Sequence, residues 1–433
     1  MEIAREKITG EVEVSEKILK EIKNISHLKK KIEDFLTAKA TELLAVILGG
    51  AMALEASDIH IEPEEKEVKL RVRLDGVLHD VLTFDFKVYQ TLLSRIKLLS
   101  GLKLNVTDRP QDGRFTILAE KITIEIRAST LPAEYGESLV LRLLNPKSLI
   151  EMEQLGLKKG LVEIFEREIK KPNGMIIVTG PTGSGKTTTL YAILKRINSP
   201  EVKIITIEDP IEYHLKGISQ TQVDPAKKYT FASGLKSIMR QDPDVILVGE
   251  VRDLETAEIA CQAALTGHLV FSTLHTNDAA GAIARLVDLG ARPVSIAPAI
   301  NMVVAQRLPR RVCKKCAKFI TPSKGDLEKI KKGLAGMKKG ILPPSFFDKD
   351  LKIPQVKGCE NCNFTGFRGR VGIFETFLID DEMEKFILTN PSIVDMKKLA
   401  IEKGMVLMRQ DGLIKVLEGV TTIEEIERVA GEE

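Results

Sequence analysis

The stretch MIIVTGPTGSGKTTTLYAILKRI, residues 175–197, decides the fold of this chain. Its centre, GPTGSGKT from Gly180 to Thr187, fits the pattern G-x-x-x-x-G-K-[ST]. The apolar run MIIVT predicts a strand before the loop, and TTLYAILKRI predicts a helix after it. Strand, glycine-rich loop and helix in this order predict a phosphate-binding loop within an α/β domain.

The loop is predicted to bind a nucleoside triphosphate. Its glycines let backbone N–H groups turn toward the phosphates, and the helix N-terminus adds partial positive charge. We expect Lys186 to reach the β- and γ-phosphates and the Thr187 hydroxyl to complete the coordination of Mg²⁺. The chain has no N-K-x-D motif for reading guanine, so the predicted nucleotide is ATP. The predicted nucleotide ligands are Gly180, Pro181, Thr182, Gly183, Ser184, Gly185, Lys186, Thr187 and Thr188.

Length and composition set the class of protein. A chain of 433 residues is expected to form two or three domains. The net charge of +3 gives no indication of a protein that coats nucleic acid. The longest uncharged apolar run, residues 43–54, is shorter than the roughly 20 residues that cross a bilayer. The first residues, MEIAREK, lack the apolar core of a signal peptide, so we expect a soluble, cytoplasmic protein.

Hydrophobic patterning predicts two regions before the phosphate loop. Residues 1–40 are rich in lysine and glutamate and predict a solvated helical arm. Residues 41–147 predict a small α+β domain, because VKLRVRLDGVLHDVL (68–82) and KITIEIRAS (121–129) alternate apolar and polar residues. Asp75-Gly76 predicts a hairpin turn between two strands.

Residues 148–433 predict the ATP-binding domain, with a doubly wound α/β core. Short apolar runs alternate there with helical stretches, which is typical of parallel strands buried on both faces. Beyond residue 280 the pattern predicts mainly helices around a cysteine-containing element. The apolar runs are MIIVTG (175–180), KIITIED (203–209), VILVGE (245–250) and LVFSTLH (269–275).

Carboxylates follow two of these predicted strands. Glu250 ends VILVGE, and a carboxylate at this place beside a phosphate loop commonly holds Mg²⁺ or its water. TIEDPIEYH places Glu208, Asp209 and Glu212 past the end of another strand, where one of them could orient the attacking water. The pattern alone does not choose among these three.

Two histidines frame the strand LVFSTL. His268 precedes this strand and His275 follows it. Either could be a structural residue, and the functional hypothesis is that His275 senses the γ-phosphate.

Paired cysteines predict a metal site in the C-terminal part. Four thiolates fill all positions of a tetrahedral zinc site, which would make the element structural rather than catalytic. A redox pair and unligated thiols are the alternatives, but no thioredoxin-like βαβ unit surrounds these cysteines. Cys261 is expected to be a buried small residue of a helix. The predicted ligands, within the element 313–362, are Cys313, Cys316, Cys359 and Cys362.

Taken together, these motifs resemble those of the secretion ATPase superfamily. GPTGSGKTTTLYA, TIEDPIEYH, DPDVILVGEVRDLETA and ALTGHLVFSTLHTNDA are similar to its phosphate loop, Asp box, Walker B segment and His box. ASDIHIEP, RLDG, RPQDGR and GESLVLRLL resemble the PAS-like domain that precedes the motor core. The cysteine pairs followed by GFRGRVGIFE resemble the assembly and export branch, the ATPases of type II secretion and type IV pilus assembly.

The resemblance implies a RecA-like core, a hexameric ring and ATP hydrolysis that drives an inner-membrane platform protein. It implies peripheral association with the inner membrane through such partners. It also implies that Lys186 and Thr187 bind the nucleotide, that Glu250 is the Walker B acid and that Glu212 positions water. Members of the superfamily usually carry a large N-terminal domain ahead of the region matched here, which starts near residue 40.

Arginines are predicted to complete the site. Phosphate-loop sites gain large rate factors from an arginine supplied across an interface. Arg114 and Arg127 are the predicted residues, and the alternative is that they are surface arginines on a polar sheet face. Further candidates are Arg109, Arg142, Arg285 and Arg307.

Two other functions compete with an export motor. A nucleic-acid-dependent ATPase of helicase type is disfavoured by the near-neutral charge, the lack of Trp and an aromatic content of 5%. A scaffold that binds ATP without hydrolysing it is disfavoured by the presence of Lys186, Glu212 and Glu250. We therefore predict an ATPase with no nucleic-acid partner.

Overall fold

A computed structural model describes residues 10–119, 122–145, 149–337, 341–342 and 350–431. The chain forms two compact units. The first comprises Met1–Ser148 with Cys313–Cys316 and Lys357–Arg368, and the second comprises the remaining residues from Leu149 onward. The predicted domain boundary at residues 147 and 148 lies outside the described residues.

A mixed sheet forms the centre of the first unit. Its strands, within the described residues, are β1 (Glu11–Glu13), β2 (Asp58–Pro63), β3 (Val68–Leu74), β4 (Val77–Phe84), β5 (Gln111–Ala119), β6 (Ile122–Ala133) and β7 (Gly136–Leu144). They lie in the order β1-β5-β6-β7-β2-β3-β4, in which β1 is parallel to β5 and the other neighbours are antiparallel. In β3 the apolar residues are buried and the basic residues between them are not, as the alternation predicts.

The predicted hairpin turn joins β3 to β4. Asp75 has a φ of 49° and Gly76 a φ of 84°, so both central residues are in the left-handed region. A two-residue turn with positive φ at both positions has the backbone twist that matches the twist of the strands. Asp75 and Gly76 therefore suit this turn because both residue types tolerate a positive φ.

Helices cover the sheet of the first unit: α1 (Glu16–Glu21), α2 (Ile25–Glu33), α3 (Ala40–Ala53) and α4 (Phe86–Leu99). The N-terminal arm differs from the expected solvated helices, because Val12, Leu28 and Ile32 are buried in the core. A Cβ atom at Gly50 of α3 would lie 2.1 Å from Leu28 Cδ1. Glycine at this position therefore allows α2 and α3 to pack closely.

The second unit is built on a larger α/β sheet. Its helices are α5 (Lys159–Glu168), α6 (Lys186–Ile197), α7 (Phe231–Met239), α8 (Leu254–Leu265), α9 (Ala280–Asp288), α10 (Pro293–Ile296), α11 (Lys324–Gly333), α12 (Asp381–Leu388), α13 (Ile393–Glu402), α14 (Met408–Leu417) and α15 (Ile423–Ala430). The strands that begin in it are β8 (Gly174–Thr179), β9 (Ile204–Glu208), β10 (Ser219–Gln222), β11 (Val245–Val248), β12 (Leu269–Leu274), β13 (Ile300–Arg307), β14 (Arg310–Val312), β15 (Lys318–Ile320), β16 (Ile353–Gln355) and β18 (Ile373–Leu378). β17 (Phe367–Arg370) lies between β16 and β18 in the chain.

The main sheet has the order β10-β9-β11-β12-β8-β13-β18. All neighbouring strands from β10 to β13 are parallel, and β18 is antiparallel to β13. All residues of β8, β9, β11 and β12 are buried, as the continuous apolar runs predict. Because the carboxyl ends of parallel strands meet at one edge, the segments that follow these strands lie together.

The structure adds strands to the C-terminal part that the sequence predicts as mainly helical. β13 reads INMVVAQR and is buried over nearly its whole length. An apolar run of this length without alternation does not separate a buried strand from a buried helix. β13 lies next to β8, directly beside the phosphate loop.

The two cysteine segments belong to the first unit, whereas the sequence prediction attaches them to the ATP-binding domain. The Ile25 N–H donates a hydrogen bond of 2.6 Å to Asn363 Oδ1. This bond joins the start of α2 to the second cysteine segment.

Candidate nucleotide site

The phosphate loop connects the end of β8 to the start of α6. Gly183 and Gly185 have φ values of 80° and 88°, in the left-handed region that glycine adopts without strain. A Cβ atom at Gly185 would lie 2.8 Å from Gln306 Nε2, and one at Gly180 would lie 2.7 Å from the Gln306 carbonyl oxygen. Glycine is therefore required at both ends of the loop. No side chain caps the N-terminus of α6, which leaves its first N–H groups for an anion.

Lys186 lies within this loop and is buried. Its Nζ donates hydrogen bonds to the carbonyl oxygens of Gly180, at 2.7 Å, and Pro181, at 3.2 Å. Burial lowers the pKa of Lys186 to about 8, the nearby Glu250 carboxylate partly offsets this effect, and the Arg307 charge adds to it. A phosphate group would supply the negative charge that stabilises the protonated lysine.

Glu250, His275 and Arg252 converge at the carboxyl edge of the sheet. Glu250 Oε2 lies 3.6 Å from His275 Nε2, and Glu250 Oε1 accepts a 2.6 Å hydrogen bond from Arg252. Arg252 also lies 3.6 Å from Asp209. The Thr273 hydroxyl donates to the Gly249 carbonyl at 2.7 Å, which fixes the backbone immediately before Glu250.

His275 belongs to the same electrostatic cluster as Lys186. Burial lowers the pKa of His275, the Lys186 charge lowers it further, and Glu250 raises it. His268 lies at the opposite end of β12, where its Nδ1 is 3.0 Å from the Ala263 carbonyl oxygen. A six-residue strand is about 20 Å long, so only His275 shares the edge with the phosphate loop.

The carboxylates after β9 divide into different environments. Glu208 is buried, accepts a hydrogen bond from Tyr191 and accepts one of 2.6 Å from Thr206. Burial and the Glu208 charge raise the pKa of Tyr191. Glu208 is thus held inside the unit, whereas Glu212 is half-buried in the irregular segment that follows.

Three residues that the sequence does not single out also shape the site. Gln306 is buried, and its Oε1 accepts a 2.7 Å hydrogen bond from Thr189 of α6. The Thr276 N–H donates to Thr179 Oγ1 at 2.9 Å and so ties the segment after β12 to the end of β8. Arg252 stands two residues after Glu250. Gln306 and Thr276 are polar residues at the ends of apolar runs, and this position in the sequence could have indicated a place in the site.

Arg307 is the arginine candidate that lies beside Lys186. Its guanidinium donates to the Asn277 carbonyl oxygen at 2.8 Å and to the Gln306 carbonyl oxygen at 3.0 Å. Arg285, on α9, is exposed.

The other arginine candidates lie in the first unit, in a row across its sheet. Arg114 of β5 is opposite Arg127 of β6, and Arg127 is opposite Arg142 of β7. Residues directly opposite each other share a face, and like charges in this position are destabilising. Arg142 is opposite Asp58, whose Oδ1 lies 3.0 Å from Arg142 Nε. Arg109 is exposed in the segment before β5.

The four predicted zinc ligands meet in one cluster. Their sulfur atoms all lie within 4.8 Å of one another, and three of the separations are 3.9, 3.8 and 3.7 Å. Tetrahedral zinc with Zn–S bonds of about 2.3 Å places its sulfur ligands about 3.8 Å apart. Cys362 Sγ accepts hydrogen bonds from the N–H groups of Cys359, at 3.2 Å, and Gly366, at 3.3 Å. The donor set therefore fits zinc.

Cys261 lies outside this cluster, on α8. Its side chain is buried, and burial raises the pKa of its thiol to about 12. The expectation of an inert core cysteine agrees with this environment.

Among the described residues, no helix has both the length and the apolar character that a membrane span requires.

Comparisons with known proteins give the family of the chain. Residues 36–428 match the model of the family described as type II/IV secretion system protein. The chain belongs to this family. It is similar to the type II secretion system protein E of Dickeya dadantii, with 46% identity over 397 residues, 92% of this chain and 76% of that protein. It is also 40% identical over 424 residues, 97% of this chain and 73% of that protein, to the type IV pilus assembly ATPase PilB of Myxococcus xanthus.

The extent of the match differs among relatives. PilB of Thermus thermophilus is 43% identical over 388 residues, which are 89% of this chain but 42% of that protein. The chain thus spans less than half of the Thermus relative and about three quarters of the other two. The predicted membership in this ATPase family is confirmed, and none of these three relatives is named as a nucleic-acid motor.

Solved structures support the fold. The Legionella pneumophila ATPase DotB matches with a TM-score of 0.63 and 21% identity, over 89% of this chain and 95% of that chain. The pilus retraction motor PilT with bound ADP matches with a TM-score of 0.58 and 27% identity, over 88% and 95%. The predicted α/β ATPase fold is confirmed.

Proposed function

We propose that this chain is a Mg²⁺-dependent motor whose ATP hydrolysis drives assembly of a type IV pilus or a type II secretion pseudopilus. The observation that carries the proposal is the convergence of Lys186, Glu250 and His275 at the edge of the sheet that holds the phosphate loop. The relatives named as pilus assembly ATPase and as type II secretion protein support the choice of machine.

The residues of the site have separate roles in this proposal. The N–H groups of residues 180–188 bind the phosphates, and Lys186 moves from the loop carbonyls to the β- and γ-phosphates. Thr187 and Glu250 hold Mg²⁺, which screens the phosphate charge when bound. Glu212 positions the attacking water, because hydrolysis needs an oriented nucleophile more than covalent chemistry. His275, beside Glu250, responds to the γ-phosphate.

The ring completes each site in this proposal. Six copies assemble head to tail, and Arg114 and Arg127 of the first unit reach the phosphates bound by a neighbouring chain. The row of arginines supports this role, since three cations beside Glu125 and Asp58 leave net positive charge that attracts a phosphate. Zinc held by the cysteine cluster stabilises the fold of its two segments and takes no part in hydrolysis.

The proposed partner is the platform protein of the inner membrane, with the motor bound peripherally at the cytoplasmic face. The test measures phosphate release by the full chain alone, with the cytosolic domain of a platform protein, and with single-stranded DNA. We expect stimulation by the platform domain and none by DNA. Stimulation by DNA alone would support the helicase-type alternative and overturn the proposed machine, and Lys186→Ala serves as the inactive control.

A further inference from the structure

A cavity of about 500 Å³ lies within the second unit, between the segment that leads into α5 and helix α14. Protein sites for small molecules have volumes of this order. The described residues that line it include neither the phosphate loop nor Glu250 or His275. The cavity is therefore distinct from the nucleotide site.

One part of the cavity wall is apolar. It is formed by Leu157, Val371, Ile414 and Val420. Val371 and Ile414 belong to the buried core, so this part of the wall is held in place by packing. An apolar wall of this kind favours a ligand with a flat or apolar group.

The other part of the wall is basic. Lys158, Lys159, Arg311 and Lys415 line the cavity, and Glu418 is the one acidic residue among its described lining residues. Glu418 is exposed. The cavity thus has more positive than negative side chains at its surface.

The nearest buried carboxylate is already engaged. Asp411 Oδ2 accepts hydrogen bonds from Lys415 Nζ, at 2.8 Å, and from the Phe374 N–H, at 3.0 Å. Asp411 Oδ1 lies 3.7 Å from Lys158 Nζ. Burial lowers the pKa of Lys158 although Asp411 and Glu418 act in the opposite direction. The two negative charges of Asp411 and Glu418 therefore offset at most two of the positive charges, those of Lys158 and Lys415.

The positive charges of Arg311 and Lys159 are not balanced by these two carboxylates. Arg311 is half-buried, and its Nε donates a 2.9 Å hydrogen bond to the Arg370 carbonyl oxygen. Among the described residues no carboxylate forms an ion pair with Arg311 or with Lys159. Lys159 is exposed, whereas Arg311 is partly desolvated, and an anion from outside the chain would offset the cost of that desolvation.

We propose that this cavity binds a soluble organophosphate of about mononucleotide size, separate from the ATP that is hydrolysed. The phosphate lies against Arg311, Lys158 and Lys159, where a guanidinium can donate two parallel hydrogen bonds to phosphate oxygens. The flat or apolar group of the ligand contacts Leu157, Val371 and Val420. The proposed source of the phosphate is a soluble metabolite, because a cavity of about 500 Å³ holds a molecule of mononucleotide size.

Pyridoxal 5′-phosphate is a suitable probe, because it combines a phosphate, a flat ring and an aldehyde. The aldehyde condenses with an unprotonated lysine amine, with loss of water, and borohydride reduces the resulting imine to a stable secondary amine. The full chain is labelled in saturating Mg·ADP, which protects Lys186, and the labelled lysines are identified by peptide mass spectrometry. We expect Lys158 or Lys159 to be labelled about 10-fold faster than the exposed Lys170.

Variants separate recognition of the phosphate from amine reactivity. Arg311→Gln is expected to slow labelling about 10-fold, since it removes a charge-assisted contact to the phosphate. Lys170→Gln removes one positive charge from an exposed position and should leave the rate unchanged. Lys159→Gln loses no ion pair in the described structure and, with labelling read at Lys158 alone, provides a second variant if Arg311→Gln does not fold.

Competition identifies the ligand class. AMP should protect the labelled lysine, and adenosine, which lacks the phosphate, should not. Labelling spread over surface lysines, or equal protection by AMP and adenosine, would overturn the proposal. Protection by phosphatidylglycerol vesicles without protection by AMP would also overturn it, in favour of a membrane surface.

Discussion

At the scale of single residues, Lys186 carries a specific pH dependence. Burial lowers its pKa from 10.5 to about 8, so between these values the unfolded chain binds more protons than the folded chain. The free energy of unfolding therefore gains a contribution that rises with pH through this window. A bound phosphate raises the pKa again, and nucleotide binding at about pH 8.5 should take up protons.

Calorimetry in buffers of different ionisation enthalpy measures this uptake. The uptake should approach one proton per site at about pH 9 and fall toward zero at about pH 6.5. Lys195→Gln, near the end of α6, should leave the uptake unchanged. Uptake that does not vary with pH would show that Lys186 stays protonated in the free protein.

Glu250 is the residue whose substitution should separate binding from hydrolysis. Glu250→Gln keeps the shape but removes the negative charge beside His275 and Arg252. We expect ATP to bind and the turnover number to fall by at least about 100-fold. Glu258→Gln, on the exposed side of α8, is the matched control and should retain full turnover. Comparable losses in both variants would remove Glu250 from the site.

At the scale of elements, β13 supports the phosphate loop through Gln306. Gln306→Leu would leave the buried Thr189 hydroxyl without its acceptor, at a cost of about 1–3 kcal/mol in the free energy of unfolding. The KM for ATP should rise, because the Gln306 side chain lies close to Gly185, where an added Cβ atom would be 2.8 Å from Gln306 Nε2. A double variant with Thr189→Val measures the coupling by chemical denaturation and kinetics. If the effects of the two substitutions simply add, Gln306 and Thr189 do not stabilise the protein through a common hydrogen bond.

The cysteine element should depend on metal for its fold. We expect the purified protein to hold about one equivalent of zinc, because four thiolates complete a structural site. Cys362→Ala should lose the metal and expose segments 313–316 and 357–368 to hydrogen exchange. Cys261→Ala, the matched control on α8, should retain zinc. A metal content of zero in the native chain would leave the cluster as unligated thiols.

Local chemistry explains which elements the sequence predicts. The phosphate loop depends on neighbouring residues only, and the Asp75-Gly76 turn depends on two backbone angles, so both are predictable. β13 is missed because its apolar run also fits a buried helix. The packing of the N-terminal arm depends on close contact between Leu28 and Gly50. These residues are distant in the chain, so a local sequence pattern does not predict the contact.

The candidate site shows the same division between local and distant contacts. Glu250 and His275 stand at the ends of predicted strands, and parallel strand order brings them to one edge. Gln306 is far from Thr189 in the chain, and only the position of β13 beside β8 brings the two together. Burial separates Glu208, which is held by Tyr191 and Thr206, from Glu212, whose role in positioning water stays a prediction.

At the scale of the whole molecule, the row of arginines in the first unit predicts that catalysis depends on a neighbouring chain. Arg127 has Arg114 on one side and Arg142 on the other, and Glu125 lies 3.9 Å from its Nε, so the row keeps net positive charge that attracts a phosphate. Arg127→Gln should therefore lower the turnover number at least about 100-fold while ring size stays unchanged. Lys87→Gln, an exposed charge of α4, should have no such effect.

Mixing two inactive variants tests whether the arginine acts between chains. In a head-to-tail ring made from equal amounts of Arg127→Gln and Lys186→Ala chains, about a quarter of interfaces join an intact phosphate loop to an intact arginine. Activity should then return to a measurable fraction of the wild-type value, as phosphate release would show. An arginine acting within its own chain would give no recovery, because every chain would lack one essential group.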